Sequence, residues 1–246
     1  MKIGIADYGY NMWDGGECFD QAERWRQLKE IGYEGVERVT ALTGEHAVQL
    51  AAGMKRLGMD FGTVRAPNQE LSIQWTSAFG KSYIWTFVNG DNYADFSRQA
   101  RIQAAACARY GISTALHNHM GTPVETQEQL EQFLADCPDN KLVLDTAHLA
   151  AMGGDAVEIA SKYTDRIAAL HLKDWIMTDS DHSNWTKRGR FCELGAGNIG
   201  LDNIEVLRTA LRGGFDGWVF VEQDSHLQEP LLDLTISRQY LRKAGY

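Results

Sequence analysis

Short β-branched or apolar runs alternate along this chain with longer stretches of helical period, and the alternation persists to its last residues. Such a pattern builds a parallel sheet, because each strand needs a helical crossover to bring the chain back to the same end. The strand candidates are Ile3 to Ala6, Val36 to Val39, Phe61 to Val64, Tyr83 to Val88, Thr114 to His117, Leu142 to Leu144, Ile167 to Leu172 and Trp218 to Val221. Between them Ala47, Leu50, Ala51, Met54 and Leu57 form one helical stripe, Leu130, Phe133, Leu134 and Cys137 another, and Ala156, Ile159, Ala160 and Tyr163 a third; all three are expected to pack on the sheet. Gly32, Gly58, Gly111 and the Gly213-Gly214 pair punctuate helix ends before the next strand. Eight such units in 246 residues, without a linker or a shift in composition, predict one α/β domain over residues 1–246, a single closed (β/α)8 TIM barrel. A doubly wound sheet would carry a glycine-rich phosphate turn after its first strand. Here that strand runs into Asp7-Tyr8-Gly9-Tyr10-Asn11-Met12-Trp13 instead.

Charge narrows the partners. Thirty-three acidic residues against 24 basic ones give a formal charge of −9, the wrong sign for displacing counterions from nucleic acid. No apolar run approaches the roughly 20 residues needed to span a bilayer, and an acidic residue at Asp7 interrupts what a secretory signal would keep apolar. A cytoplasmic protein with neither membrane nor nucleic-acid partners is expected. Cys18, Cys107, Cys137 and Cys192 form no CxxC pair and read as reduced structural thiols.

In a βα barrel, reacting groups sit at the carboxyl ends of the strands. The fifth strand runs into His117-Asn118-His119-Met120-Gly121-Thr122-Pro123-Val124-Glu125, the sixth into Asp145-Thr146-Ala147-His148, the seventh into His171-Leu172-Lys173-Asp174-Trp175 and the eighth into Glu222-Gln223-Asp224. One buried acid or imidazole is usually a hydrogen-bonded structural group. Four converging on one rim would desolvate and repel one another unless a cation compensated them. Glu125, Asp145, His171 and Glu222 are therefore expected to hold a divalent metal. One imidazole among carboxylates suits Mn²⁺, Mg²⁺ or Co²⁺ better than a structural zinc, although Zn²⁺ is not excluded.

These residues, with Gly195, Gly197, Ile199, Gly217 and Trp218, carry a resemblance. The chain resembles the xylose-isomerase-like barrel superfamily of sugar and sugar-phosphate isomerases and epimerases, and within it the inosose-dehydratase-like members. The resemblance covers most of the chain, with its specific motifs between His117 and Asp224. It implies a divalent metal, usually manganese, held by Glu, Asp, His and Glu from the last four strands. The sequence departs from this pattern at the fifth strand, where His117 and His119 stand at the strand end and Glu125 lies several residues into the loop. Either histidine is an alternative to Glu125 as the first ligand.

The departure bears on the reaction. A metal that polarises a sugar carbonyl acidifies the neighbouring C–H; reprotonation then gives an isomerase or epimerase, and loss of a β-substituent gives a lyase. Elimination needs one group to take the α-proton and another to protonate the leaving oxygen, which suits His117 and His119, with Glu222 sharing proton transfer. His148 and Lys173 are candidates for holding substrate oxygens, with Asp174 beside them, Trp13 as a stacking face on the rim, and Arg190 near the Gly195–Gly200 turn. One arginine is thin support for a phosphate, so an unphosphorylated carbohydrate is expected. The favoured reading is a lyase acting on a keto-sugar, keto-inositol or oxidised glycoside. The alternatives are a metal-dependent isomerase or epimerase of free ketoses and a non-catalytic sugar-binding subunit. A homo-oligomer or partner subunit is a general expectation only. The long segment from Trp175 to Ile199 is expected to act as a lid.

Overall fold

The computed structural model describes residues 1–6, 20–90 and 92–246. The strands β1 (Lys2–Ile5), β2 (Gly35–Thr40), β3 (Asp60–Arg65), β4 (Tyr83–Trp85), β5 (Ser113–His117), β6 (Lys141–Asp145) and β7 (Ile167–Leu172) are joined by α1 (Gln21–Ile31), α2 (Gly44–Arg56), α3 (Gln69–Ala78), α4 (Tyr93–Ala108), α5 (Gln127–Asp136) and the pair α6 (Thr146–Ala151) and α7 (Ala156–Lys162). After β7 the chain leaves the sheet as an antiparallel ribbon, β8 (Asp174–Met177) with β9 (Gly189–Cys192), and returns through α8 (Asn203–Arg212), β10 (Trp218–Val221) and α9 (Pro230–Lys243).

The eight sheet strands pair in parallel in the order β3-β2-β1-β10-β7-β6-β5-β4. The two ends of that order, β3 and β4, are consecutive along the chain, so the sheet curls into the expected, nearly closed barrel. Gly62 of β3 lies so near β4 that an added Cβ would stand 3.3 Å from the Tyr83 hydroxyl. Among the described residues no backbone ladder joins β3 to β4. The fourth strand is shorter than its apolar run Tyr83–Val88 suggested: its pairing with β5 ends with Thr86 N donating to Ala115 O, while on the other edge the Gln103 side chain donates to Trp85 O and accepts from Phe87 N.

Two apolar layers hold the fold. The main one packs the outer faces of the strands against the helices and includes Leu130, Phe133, Leu134, Cys137, Ile159 and Ala160 from the predicted stripes. The second fills the barrel interior with Ala6, Tyr83, Trp85, Ala115, Val143, Ala169 and Phe220, small and large residues alternating so that the rings interlock. Cys107, Cys137 and Cys192 are buried free thiols. Among the described residues no helix is long and apolar enough to cross a membrane.

Candidate active site

Strand register places the chemistry. Asp145, the last residue of β6, pairs with His171 of β7, and His171 in turn pairs with Phe220 of β10. Residues paired across parallel strands point the same way at the same depth, so Asp145 and His171 enter the barrel together and Glu222 follows just above Phe220. His117, at the end of β5, completes the group. Ligand atoms of His117, Asp145, His171 and Glu222 all lie within 4.8 Å of one another. His117 Nε2 is 3.2 Å from Asp145 Oδ2 and 3.8 Å from Glu222 Oε2, and His171 Nδ1 is 2.7 Å from Glu222 Oε2.

Glu125 does not join them. Its carboxylate turns back on its own loop and accepts a 2.7 Å hydrogen bond from Gly121 N, and the fifth strand's contribution to the cluster is His117. The cluster therefore offers two imidazoles and two carboxylates. That donor set fits a divalent cation of the Mn²⁺, Co²⁺ or Zn²⁺ kind. The local charge also fits one: Glu37, Asp145 and Glu222 are buried, and among the described residues the lysine or arginine that pairs with Asp145 and Glu222 is Lys173, its ammonium 3.6 and 3.4 Å away.

The same crowding sets the ionisation states. Burial opposes charge on Glu222, but Lys173 and His171 outweigh it and hold the carboxyl well below its usual range; Asp145 is likewise held down against burial by the Lys173 charge and the hydrogen bond from His117. Burial opposes a charged His171 ring too, yet Glu37 and Glu222 on its two nitrogens raise it well above the ordinary value. His117 and His148 are pushed down by burial, His148 further by Lys173, so both are neutral imidazoles.

A second group adjoins the first. Ligand atoms of His119, His148 and Asp224 also lie within 4.8 Å of one another. Lys173 stands between the groups, fully buried, with Nζ 2.8 Å from Asp224 Oδ2 and 3.1 Å from His148 Nε2. His119 donates from Nδ1 to Met120 O at 2.6 Å, which leaves Nε2 as the acceptor of its ring. Asp224 Oδ1 is a buried acceptor with no partner among the described residues. Trp185, on the excursion after β7, covers this group, with its ring 5.5 Å from His119 and 5.9 Å from His148. Gly121 makes room for it: a Cβ there would stand 2.5 Å from Trp185 Nε1. A cavity of about 670 Å³ opens beside His117, with Thr86, Asn89, Gln99 and Thr122 in its wall.

Three further expectations land elsewhere. The Asp174 carboxylate accepts from Trp175 N and Gly195 N, both at 2.9 Å, and from Gly197 N, so it braces the loop and is not turned to a ligand. The Gly195 and Gly197 amides belong to the Gly195–Gly200 turn that was a candidate phosphate cradle. Arg190 is exposed on β9, and strand alternation turns it away from Phe191, whose ring packs 5.1 Å from His148. Trp13 lies outside the described residues.

Sequence reading missed Glu37. It sits in the middle of β2, fully buried, and accepts from Tyr83 Oη at 2.9 Å and Trp85 Nε1 at 2.7 Å through one oxygen, while His171 Nε2 lies 2.9 Å from the other. The available signal was one acid inside an otherwise barrel-wall run.

A sequence profile of the xylose isomerase-like TIM barrel family matches residues 25–244, and the chain belongs to that family. Among curated proteins it is 32% identical over 145 residues to inosose dehydratase of Bacillus licheniformis and 28% identical over 156 residues to the rhizopine catabolism protein MocC of Rhizobium meliloti. These matches cover 54% and 58% of this chain and 48% and 47% of the relatives, about half the length of each. Among solved structures, the probable 3-DHS dehydratase AsbF of Bacillus anthracis superposes with a TM-score of 0.75 at 16% identity, over 98% of this chain and 99% of the other. The IOLI protein with a bound zinc atom superposes with a TM-score of 0.72 at 15% identity, over 99% and 96%. At such identities the structural likeness establishes the fold.

Proposed function

We propose that this chain is a divalent-metal-dependent lyase that removes water from a hydroxylated cyclic ketone, a keto-inositol or keto-sugar, inside the cell. The observation that carries the reading is the adjacency of two groups with different capacities: a cation-binding set of His117, Asp145, His171 and Glu222, and a proton-handling set of His119, His148 and Asp224 outside it. The inosose dehydratase relatives and the polar cavity wall support a polyhydroxylated ketone as substrate. When bound, the cation would act as a Lewis acid on the substrate carbonyl, making the α-hydrogen acidic.

The remaining steps fall to the chain's own groups. His119, whose Nδ1 is engaged by Met120 O, takes the α-proton on Nε2; the C–H electron pair forms the new C=C bond and the β C–O bond breaks. The departing hydroxyl takes the proton back from His119 and leaves as water, so one water is lost and no oxidant is needed. Lys173, pinned by Asp224 and His148, keeps a fixed positive charge beside the departing oxygen. His117 works as a ligand in this scheme, which leaves His119 as the proton carrier. Trp185 shields the step from bulk water.

The test uses the purified full chain, its metal content measured, with candidate keto-inositols and keto-sugars in D₂O. The expected result is loss of water from one of them, with His119→Gln lowering kcat by about 10²–10⁴-fold at unchanged metal content. Deuterium uptake with no loss of water would replace the lyase by an isomerase or epimerase. Absence of both metal and turnover would leave a binding subunit.

A further inference from the structure

We infer that Glu37 is a positioning residue that selects the nitrogen through which His171 binds the cation, and so sets the metal affinity of the barrel. The inference rests on the cation reading of the His117–Asp145–His171–Glu222 cluster. Glu37 is 134 positions from His171 in the chain and belongs to another strand, yet their side chains meet at 2.9 Å in the barrel interior. Its other oxygen accepts from Tyr83 and Trp85 together, and an indole nitrogen can only donate. Those two fixed donors hold the group as a carboxylate turned toward β7.

A carboxylate only accepts, so the His171 nitrogen facing it, Nε2, must carry hydrogen. Nδ1 lies 2.7 Å from a carboxylate too, that of Glu222, and carries hydrogen in the metal-free ring; but Glu222 is itself a member of the cation set, so Nδ1 is the nitrogen that exchanges its hydrogen for the cation while Glu37 keeps the one on Nε2. Carboxylates behind metal-binding imidazoles fix tautomer and ring orientation in this way, and losing them typically costs about 10–100-fold in metal affinity. A purely structural account fits less well. A buried carboxylate carries a desolvation penalty of several kcal/mol, and Glu37 sits where neighbouring interior positions are filled by Tyr83, Trp85 and Phe220.

The experiment titrates chelator-treated full chain with Zn²⁺ and with Mn²⁺, comparing wild type with Glu37→Gln. The amide oxygen still accepts from Tyr83 and Trp85, while the amide NH₂ faces His171 Nε2 and forces hydrogen onto Nδ1. Affinity is expected to fall about 10–100-fold, with the melting temperature of the metal-free variant at or above that of wild type. Affinity within about threefold of wild type, or a fall that simply tracks a lower melting temperature, overturns the inference. A second measurement needs no variant. In wild type loaded with cadmium and labelled with heavy nitrogen in its histidines, His171 should show cadmium coupling at Nδ1 and a bound hydrogen at Nε2; coupling at Nε2 overturns it. If wild type binds neither ion, the cation reading falls and takes this inference with it. Equally tight binding by wild type and Glu37→Gln removes the inference alone.

Discussion

Lys173 is enclosed by Asp224 at 2.8 Å, Glu222 at 3.4 Å and Asp145 at 3.6 Å, with the Phe191 ring 4.0 Å away. Removing one partner of such a buried set leaves uncompensated charge, typically at a cost of about 3–5 kcal/mol. Lys173→Met should therefore destabilise the metal-free chain by about that much in urea unfolding, and added Zn²⁺ should restore part of it by supplying the missing positive charge. A loss under about 1 kcal/mol would mean that these carboxylates do not carry the charge assigned to them. At this scale the sequence was informative wherever a side chain directly follows an apolar strand, as Asp145, His171 and Glu222 do, because the strand dictates its direction. Glu125 lies beyond Gly121 and Pro123, where no such period operates, and the nearest backbone amide decides where it points.

The excursion between β7 and α8 was legible as a long polar insertion, but its form as a braced ribbon was not. Asp174 does the bracing by taking amides from Trp175, Gly195 and Gly197, and a Cβ on Gly197 would stand 1.8 Å from Asp174 Oδ1. Asp174→Ala strands those donors, each at a cost of about 1–3 kcal/mol if left without water. It should lower the melting temperature and raise KM by loosening Trp185, while zinc affinity stays within about threefold of wild type. Weakened zinc binding at an unchanged melting temperature would instead place Asp174 in the cation site. Its acidity and its place after a strand made it look like a ligand contact; only the return path of the chain brings Gly195 and Gly197 onto it.

Barrel closure rests on side chains as well as ladders. Asp60 opens β3, and its carboxylate pairs with Lys2 of β1 at 2.8 Å and with Lys81, which precedes β4, so it ties the β3–β4 seam at the amino-terminal end of the barrel. Partial burial opposes its charge, but hydrogen bonds from Lys2, Lys81 and Phe61 N prevail and hold the carboxyl below its usual value. A carboxyl depressed in the folded state stabilises above its unfolded pKa of about 3.9, and that stability is lost as pH falls through the folded value. Asp60→Asn should accordingly lose a constant amount in urea unfolding above about pH 5, with the difference from wild type shrinking below about pH 4. About a third of the side chain is in solvent, so screening keeps the loss to about 1 kcal/mol or less. A difference that persists unchanged into acid would assign the effect to packing.

Eight alternating units, the helical stripes and three of the clustered side chains follow from local period alone, because period states which face of a strand or helix a residue occupies. Which of those side chains share a depth inside the barrel depends on strand stagger, register and rotamer, none of which is a property of neighbouring residues. The tertiary structure therefore decided that His117 and not Glu125 reaches Asp145, His171 and Glu222, that Asp174 serves the loop, and that Glu37 stands behind His171.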